Sequence, residues 1–140
     1  MHKSVQNLIN IEDQIKSNLS SLSITELPKI IAVSKTFKIE SILPLIEHGH
    51  TSFGENKVQE AIDKWSGIKE KKPNIDLHMI GRLQTNKVKF AVKLFDFIHS
   101  VDSEKLAKKI SDEQTKIQRN VKIFIQVNIG DEDQKSGIDS

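Results

Sequence analysis

The sequence predicts an α/β protein built on a parallel sheet, and three observations carry that prediction. Short apolar runs rich in β-branched residues alternate with amphipathic stretches of about 10 to 15 residues, the pattern of βαβ units. The run Ile30-Ile31-Ala32-Val33 has no polar break, as a strand covered on both faces would. The residues of unusual chemical character fall directly after the runs, at the edge where parallel sheets place their sites.

In chain order, residues 1–22 are predicted as an amphipathic helix, with Leu8, Ile11, Ile15, Leu19 and Leu22 recurring at steps of three and four. Residues 20–28 form a polar connection. The first strand is Ile30–Val33, followed by Ser34, Lys35 and Thr36. A helix from Lys38 to His48 carries Ile39, Ile42, Leu43 and Ile46, with Pro44 expected to kink it or shift its start and Gly49 to cap it. The second strand is predicted at His50–Phe53. A third helix carries Val58, Ile62 and Trp65 and closes at Gly67, with a turn over 69–74. The third strand spans Ile75–Ile80, the next helix Thr85–Leu94, and the fourth strand Asp96–Val101. A helix from Ser103 to Gln118 leads to the fifth strand, Val121–Val127, and an acidic loop follows. Val121, Ile123, Ile125 and Val127 should point to one side of that strand and Phe124 to the other.

Composition narrows the classes. A chain of 140 residues, 36% hydrophobic and 29% charged, suits one soluble domain with a core. The net charge is +2 with both signs interspersed, so no basic stripe points to nucleic acid. No apolar run approaches membrane length and the N-terminus lacks a signal-peptide pattern. Cysteine is absent, which excludes disulfides and thiol chemistry and fits a reducing compartment. A cytoplasmic protein is expected.

A lysine just past a buried strand admits two readings: a solvated side chain, or a partly desolvated amine able to attack a carbonyl carbon. Lys35, Asn56, Gly81 with Arg82, Asp102 and Asn128 each follow a predicted strand, so a parallel sheet brings them to one rim. Each also has a structural role open to it. Asn56 can cap the third helix, with Gln59 completing a capping box. Asp102 or Ser103 can cap the fifth helix, and Gly81 can supply a turn with positive φ. His48, His50, His78 and His99 lack a zinc-spaced carboxylate or cysteine pattern, so no metal is expected. No Gly-rich phosphate loop and no nucleophile elbow is present.

Read together, Ala32-Val33-Ser34-Lys35-Thr36, Phe53-Gly54-Glu55-Asn56-Lys57-Val58-Gln59-Glu60, His78-Met79-Ile80-Gly81-Arg82-Leu83-Gln84-Thr85-Asn86-Lys87, Ser100-Val101-Asp102-Ser103 and Lys135-Ser136-Gly137 resemble the pyridoxal phosphate homeostasis protein family (YggS/PROSC). The resemblance covers essentially the whole chain. It implies a parallel (β/α)8 barrel of the alanine-racemase N-terminal type, present here as about five of eight βα units in one partial domain over 1–140. It implies pyridoxal 5′-phosphate held as a Schiff base on Lys35, with Asn56, His78 and Ser100 lining the cofactor. It implies a role in vitamin B6 homeostasis without established catalysis, and a monomeric full-length family.

The family continues through three further strands, which carry the phosphate cradle and the arginine facing the pyridine nitrogen. The chain is therefore expected to be a truncated member or one half of a split gene, and to self-associate or need a C-terminal fragment. Pyridoxal without its phosphate is expected to bind nearly as well. An alternative is a pyridoxal-phosphate enzyme of the alanine-racemase fold type, a racemase or lyase. Tyrosine and cysteine, the common second acid/base, are both absent. A further alternative is a doubly wound domain for another small ligand; a sequential strand order excludes it.

Overall fold

The computed structural model describes residues 1–23, 26–130 and 137–139. The polar connection at 24–25, most of the acidic loop, and Lys135 and Ser136 of the last motif lie outside the described residues. The chain forms two compact units, Met1–Ile30 with Phe37–Thr51, and Ile31–Thr36 with Ser52–Ser140.

The first unit is a helix pair. Helix α1 spans Lys3–Ser20 and buries Val5 and Leu8. The predicted stripe is only partly covered, since Ile11 and Leu22 are exposed. Helix α2, Ile39–His48, packs against α1 and buries Ile42 and Ile46. Pro44 lies inside α2 and has no N–H for the Glu40 carbonyl one turn back. Gly49 ends the helix in the left-handed region at φ 102°, where its N–H reaches back to Leu45 and Ile46. That is the glycine cap expected from sequence.

The second unit holds the sheet. Its strands are β1 (Ala32–Val33), β2 (Ser52–Glu55), β3 (Asp76–Met79), β4 (Phe97–Val101) and β5 (Lys122–Ile125). They lie in the order β1-β2-β3-β4-β5, every pair parallel. This sequential order has no switch point, as an arc of a (β/α) barrel requires. The doubly wound alternative is thereby excluded. Helices α3 (Val58–Lys71), α4 (Val88–Leu94) and α5 (Glu104–Lys116) follow β2, β3 and β4. A 3-10 turn at Thr85–Lys87 precedes α4. The core gathers Phe53, Trp65, Leu77, Met79, Val88, Val92, Phe95 and Ile98. The Phe53 and Trp65 rings lie 4.9 Å apart, a tilted pairing worth about 0.5–1.5 kcal/mol beyond area burial.

Asp96 secures the other end of the sheet. Its carboxylate accepts from the Leu77 N–H at 2.8 Å, Lys69 Nζ at 2.5 Å and Arg119 at 3.0 Å. Lys69 also reaches the Ile75 carbonyl, and Arg119 the Val92 carbonyl. One acid thus ties α3, β3, the start of β4 and the segment after α5.

Several sequence expectations are corrected. Strand β1 is two residues long and not covered on both faces: Val33 is 50% exposed and Ser34 is the buried residue. Among the described residues its hydrogen-bonded neighbour in the sheet is β2, which makes it an outer strand. Strand β2 starts two residues later than predicted, which brings Glu55 into the sheet. Helix α3 runs through Gly67 to Lys71, because Gly67 is exposed and meets no crowding. Val121 is buried, but Ile123, Phe124, Ile125 and Val127 are exposed, as an edge strand allows. The fifth predicted strand ends at Ile125. Val127–Asn128 (β6) pairs in parallel with Ile138–Asp139 (β7), a pairing the acidic-loop expectation did not include.

Gly81 is a glycine for space, not for φ, since no positive φ is found there. A Cβ at Gly81 would stand 2.5 Å from the Asn56 carbonyl oxygen and 2.6 Å from the Asn56 Cβ. Gly81→Ala should cost about 1–3 kcal/mol by overpacking. Gly67→Ala, in open space on a helix, should gain about 0.5–1 kcal/mol. Chemical denaturation of the two variants should show these opposite signs.

Candidate functional site

Lys35 sits on the turn after β1 with its side chain exposed. It is not the partly desolvated amine that a strand covered on both faces would have presented. Asn56 immediately follows β2. The Val33–Gly54 register pair sets Lys35 and Asn56 at the same level of adjacent strands, two residues beyond it. His78 is buried within β3 as the register partner of Gly54, and Ser100 is buried within β4. The parallel order thus brings the ends of β1 to β4 to one rim.

Asn56 is not a helix cap. Helix α3 starts from Lys57 without a side-chain cap, and Gln59 bonds Asp63 instead of closing a capping box. Because β2 extends to Glu55, Asn56 falls one residue short of the capping position. Its Oδ1 is buried without a hydrogen-bond partner, and so is Ser100 Oγ; they are the two such atoms among the described residues. Ser100 lies where the β4–β5 register slips, Ile98 pairing with Ile123 but Val101 with Ile125. Such a bulge re-aims side chains and is common beside functional sites. At α5, Ser103 is the cap and accepts from the Leu106 N–H at 3.1 Å. Asn128 lies in β6, which pairs with β7 in a separate two-stranded sheet.

His78 Nδ1 and His99 Nε2 share a hydrogen bond at 2.8 Å. His78 also stacks on Phe97 with centroids 4.3 Å apart, and His99 on Phe124 at 4.6 Å. Burial pushes the His99 imidazole below its ordinary 6.5. Among the described residues no group of three or more His, Cys, Asp or Glu converges on a metal position. Between β2, α3 and the segment after β3 lies a cavity of about 280 Å³, lined in part by Asn56, Lys57, Met79, Arg82 and Lys87. Its charged groups are cationic, and it adjoins the uncapped start of α3.

Sequence reasoning assigned no role to a cluster directly behind Lys35. Glu55 is fully buried and accepts from Ser34 Oγ at 2.5 Å, Trp65 Nε1 at 3.1 Å and Lys64 Nζ at 3.0 Å. The Lys64 side chain, 7% exposed, also donates to the Ser34 carbonyl at 2.7 Å and to Glu60 at 3.3 Å. Glu60 accepts the Thr36 backbone N–H at 2.5 Å. Burial opposes the Glu60 charge, but the Thr36 N–H and Lys64 outweigh it and hold the carboxyl below the ordinary 4.5. A usable signal was present: Glu55 shares a strand face with Phe53, and Glu60 and Lys64 stand at helical i,i+4 spacing.

Comparison with known proteins agrees with this architecture. A family profile described as alanine racemase, N-terminal domain, matches residues 11–140. The chain belongs to that family. A protein of Pasteurella multocida named pyridoxal phosphate homeostasis protein is 37% identical over 134 residues, covering 95% of this chain and 58% of the relative. The chain therefore spans less than two thirds of that relative's length. A solved structure of PipY from Synechococcus elongatus, with PLP bound, aligns at TM-score 0.70 and 35% identity over 89% of this chain and 58% of that one. Alanine racemase of Clostridium difficile aligns at TM-score 0.61 and 17% identity over 90% of this chain and 33% of that one, a likeness of fold. No helix among the described residues is long and apolar enough to cross a membrane.

Two outcomes follow for this cluster and the histidine pair. Lys64→Met leaves Glu55 buried without its counter-charge and should cost on the order of 3–5 kcal/mol in urea unfolding. Ring-proton NMR should place the His99 midpoint below 6.5. Its folded value being the lower one, His99 contributes stability that is complete above 6.5 and is lost as pH falls through the folded midpoint.

Proposed function

We propose that this chain is the Lys35-bearing part of a pyridoxal-phosphate-binding protein of B6 homeostasis, with residues 1–140 forming one segment of a (β/α)8 barrel. Lys35 is the attachment point, and Asn56, His78 and Ser100 contact the cofactor. The observation that carries the reading is the pair of orphaned buried polar atoms, Asn56 Oδ1 and Ser100 Oγ, at two of the positions assigned to the cofactor. Buried polar atoms ordinarily have partners, and a polar ligand at the rim would supply them. The relatives' names and the PLP-bound PipY structure support the same reading.

When bound, pyridoxal phosphate supplies an aldehyde that a lysine amine takes up with loss of water. The chain's own residues orient it. Lys35 presents its amine from the turn after β1, Asn56 and Ser100 offer hydrogen bonds, and the His78–His99 pair fixes the imidazole beside the rim. Carriage rather than turnover fits best. A racemase needs a second acid/base at the cofactor, and these 140 residues supply neither a tyrosine nor a cysteine for that role. The absence of cysteine also fits work in the cytoplasm.

Incubation with pyridoxal phosphate should give a visible absorption band that borohydride makes permanent, with the label on the Lys35 peptide. Lys35→Ala should abolish both. Label scattered over surface lysines, or unchanged in Lys35→Ala, would overturn the assignment.

A further inference from the structure

Lys35 is joined to the fold through its two neighbours, and both are tied to the same helix. The carbonyl of Ser34 accepts from Lys64 Nζ at 2.7 Å. The N–H of Thr36 donates to Glu60 Oε1 at 2.5 Å. Glu60 and Lys64 stand one turn apart on α3 and pair with each other at 3.3 Å. Beneath them the Lys64 ammonium meets both Glu55 oxygens, at 3.1 and 3.0 Å, and Ser34 Oγ meets the same carboxylate. Ser34 also bonds the β2 backbone, its N–H to the Gly54 carbonyl at 2.9 Å.

The turn needs such holding. Thr36 lies at φ 67°, a left-handed conformation that a β-branched residue adopts only where its surroundings impose it. Without the Glu60 acceptor the Thr36 N–H would lose its tie to α3, and the turn could relax out of the left-handed region. The Lys35 Cα would then swing, and with it an amine at the end of a long flexible stem.

We propose that Glu60 and Lys64 form a two-point clamp, anchored on Glu55, that fixes the backbone on either side of Lys35 and so makes this lysine the selected attachment point. They are positioning residues and do not touch the cofactor. The clamp explains how an exposed lysine can be chosen over others: selection comes from a fixed Cα and direction, since preorganisation removes the ordering cost of binding. The inference rests on Lys35 being the attachment point.

The test uses Glu60, which is half-exposed, so its removal opens no core cavity, unlike that of Lys64. Glu60→Ala and Glu60→Gln are compared with the unaltered chain by amide hydrogen exchange at Thr36. They are also compared by the share of borohydride-fixed pyridoxal phosphate that falls on Lys35 at limiting cofactor. A hydrogen bond to a charged group sets the expected scale, about tenfold. Glu60→Ala should lower both Thr36 protection and the Lys35 share by about that factor. Glu60→Gln keeps an acceptor oxygen but not the charge and should fall between Glu60→Ala and the unaltered chain in both. A role in stability alone would not move the distribution of label among lysines. If the unaltered chain labels Lys35 and Glu60→Ala labels it equally, the clamp is wrong while the cofactor assignment stands. If the unaltered chain does not label Lys35, the cofactor assignment is wrong and the clamp goes with it.

Discussion

A carboxylate without access to water governs the candidate site. Glu55 ends β2, fully buried, and a charge in that position is tolerated only with partners that replace its hydration. Lys64, Trp65 and Ser34 supply them. The partners come from two other parts of the unit: Ser34 from the end of β1, Lys64 and Trp65 from α3. Satisfying one acid therefore fixes the distance between the first strand, the second strand and the helix after it. The turn bearing Lys35 inherits its position from that requirement.

The same economy of contacts shapes the rest of the rim. Gly81 has no side chain, so the segment after β3 can press against the Asn56 backbone. Asn56 is held there rather than released to cap α3, and its amide oxygen stays unpartnered. Ser100 is displaced by the register slip between β4 and β5, and its hydroxyl is likewise left over. Asp96 secures the sheet from its other end. Two unmatched buried polar atoms thus lie on this rim, where a binding site ordinarily shows them.

The two outer strands of the described sheet are β1 and β5. Strand β5 exposes Ile123, Phe124 and Ile125, the last at 64%, and β1 contributes only two residues to the ladder. An apolar edge strand with unpaired backbone groups is a template for pairing with another strand. Relatives of this family are longer than the chain, which covers 58% of the Pasteurella multocida protein.

Read alone, the sequence determined the parallel α/β class, the order of helices and strands, the glycine cap of α2 and the place of Lys35 after the first strand. These follow from periodicity and local backbone preference, which neighbouring residues encode. It also spelled the family through motifs spread over the chain, and the profile match agrees. It misjudged matters that distant residues decide. Val33 reads as buried because it is apolar, yet an edge strand leaves it half in water. Gly67 reads as a stop, yet an exposed helix face tolerates it. Asn56 reads as a cap, yet two more residues of β2 pairing move the helix start past it. Glu55, Glu60 and Lys64 receive no role of their own. Glu60 and Lys64 stand at helical spacing, but only the packing of β1, β2 and α3 brings them to Glu55, because a buried charge cluster is specified by three-dimensional proximity.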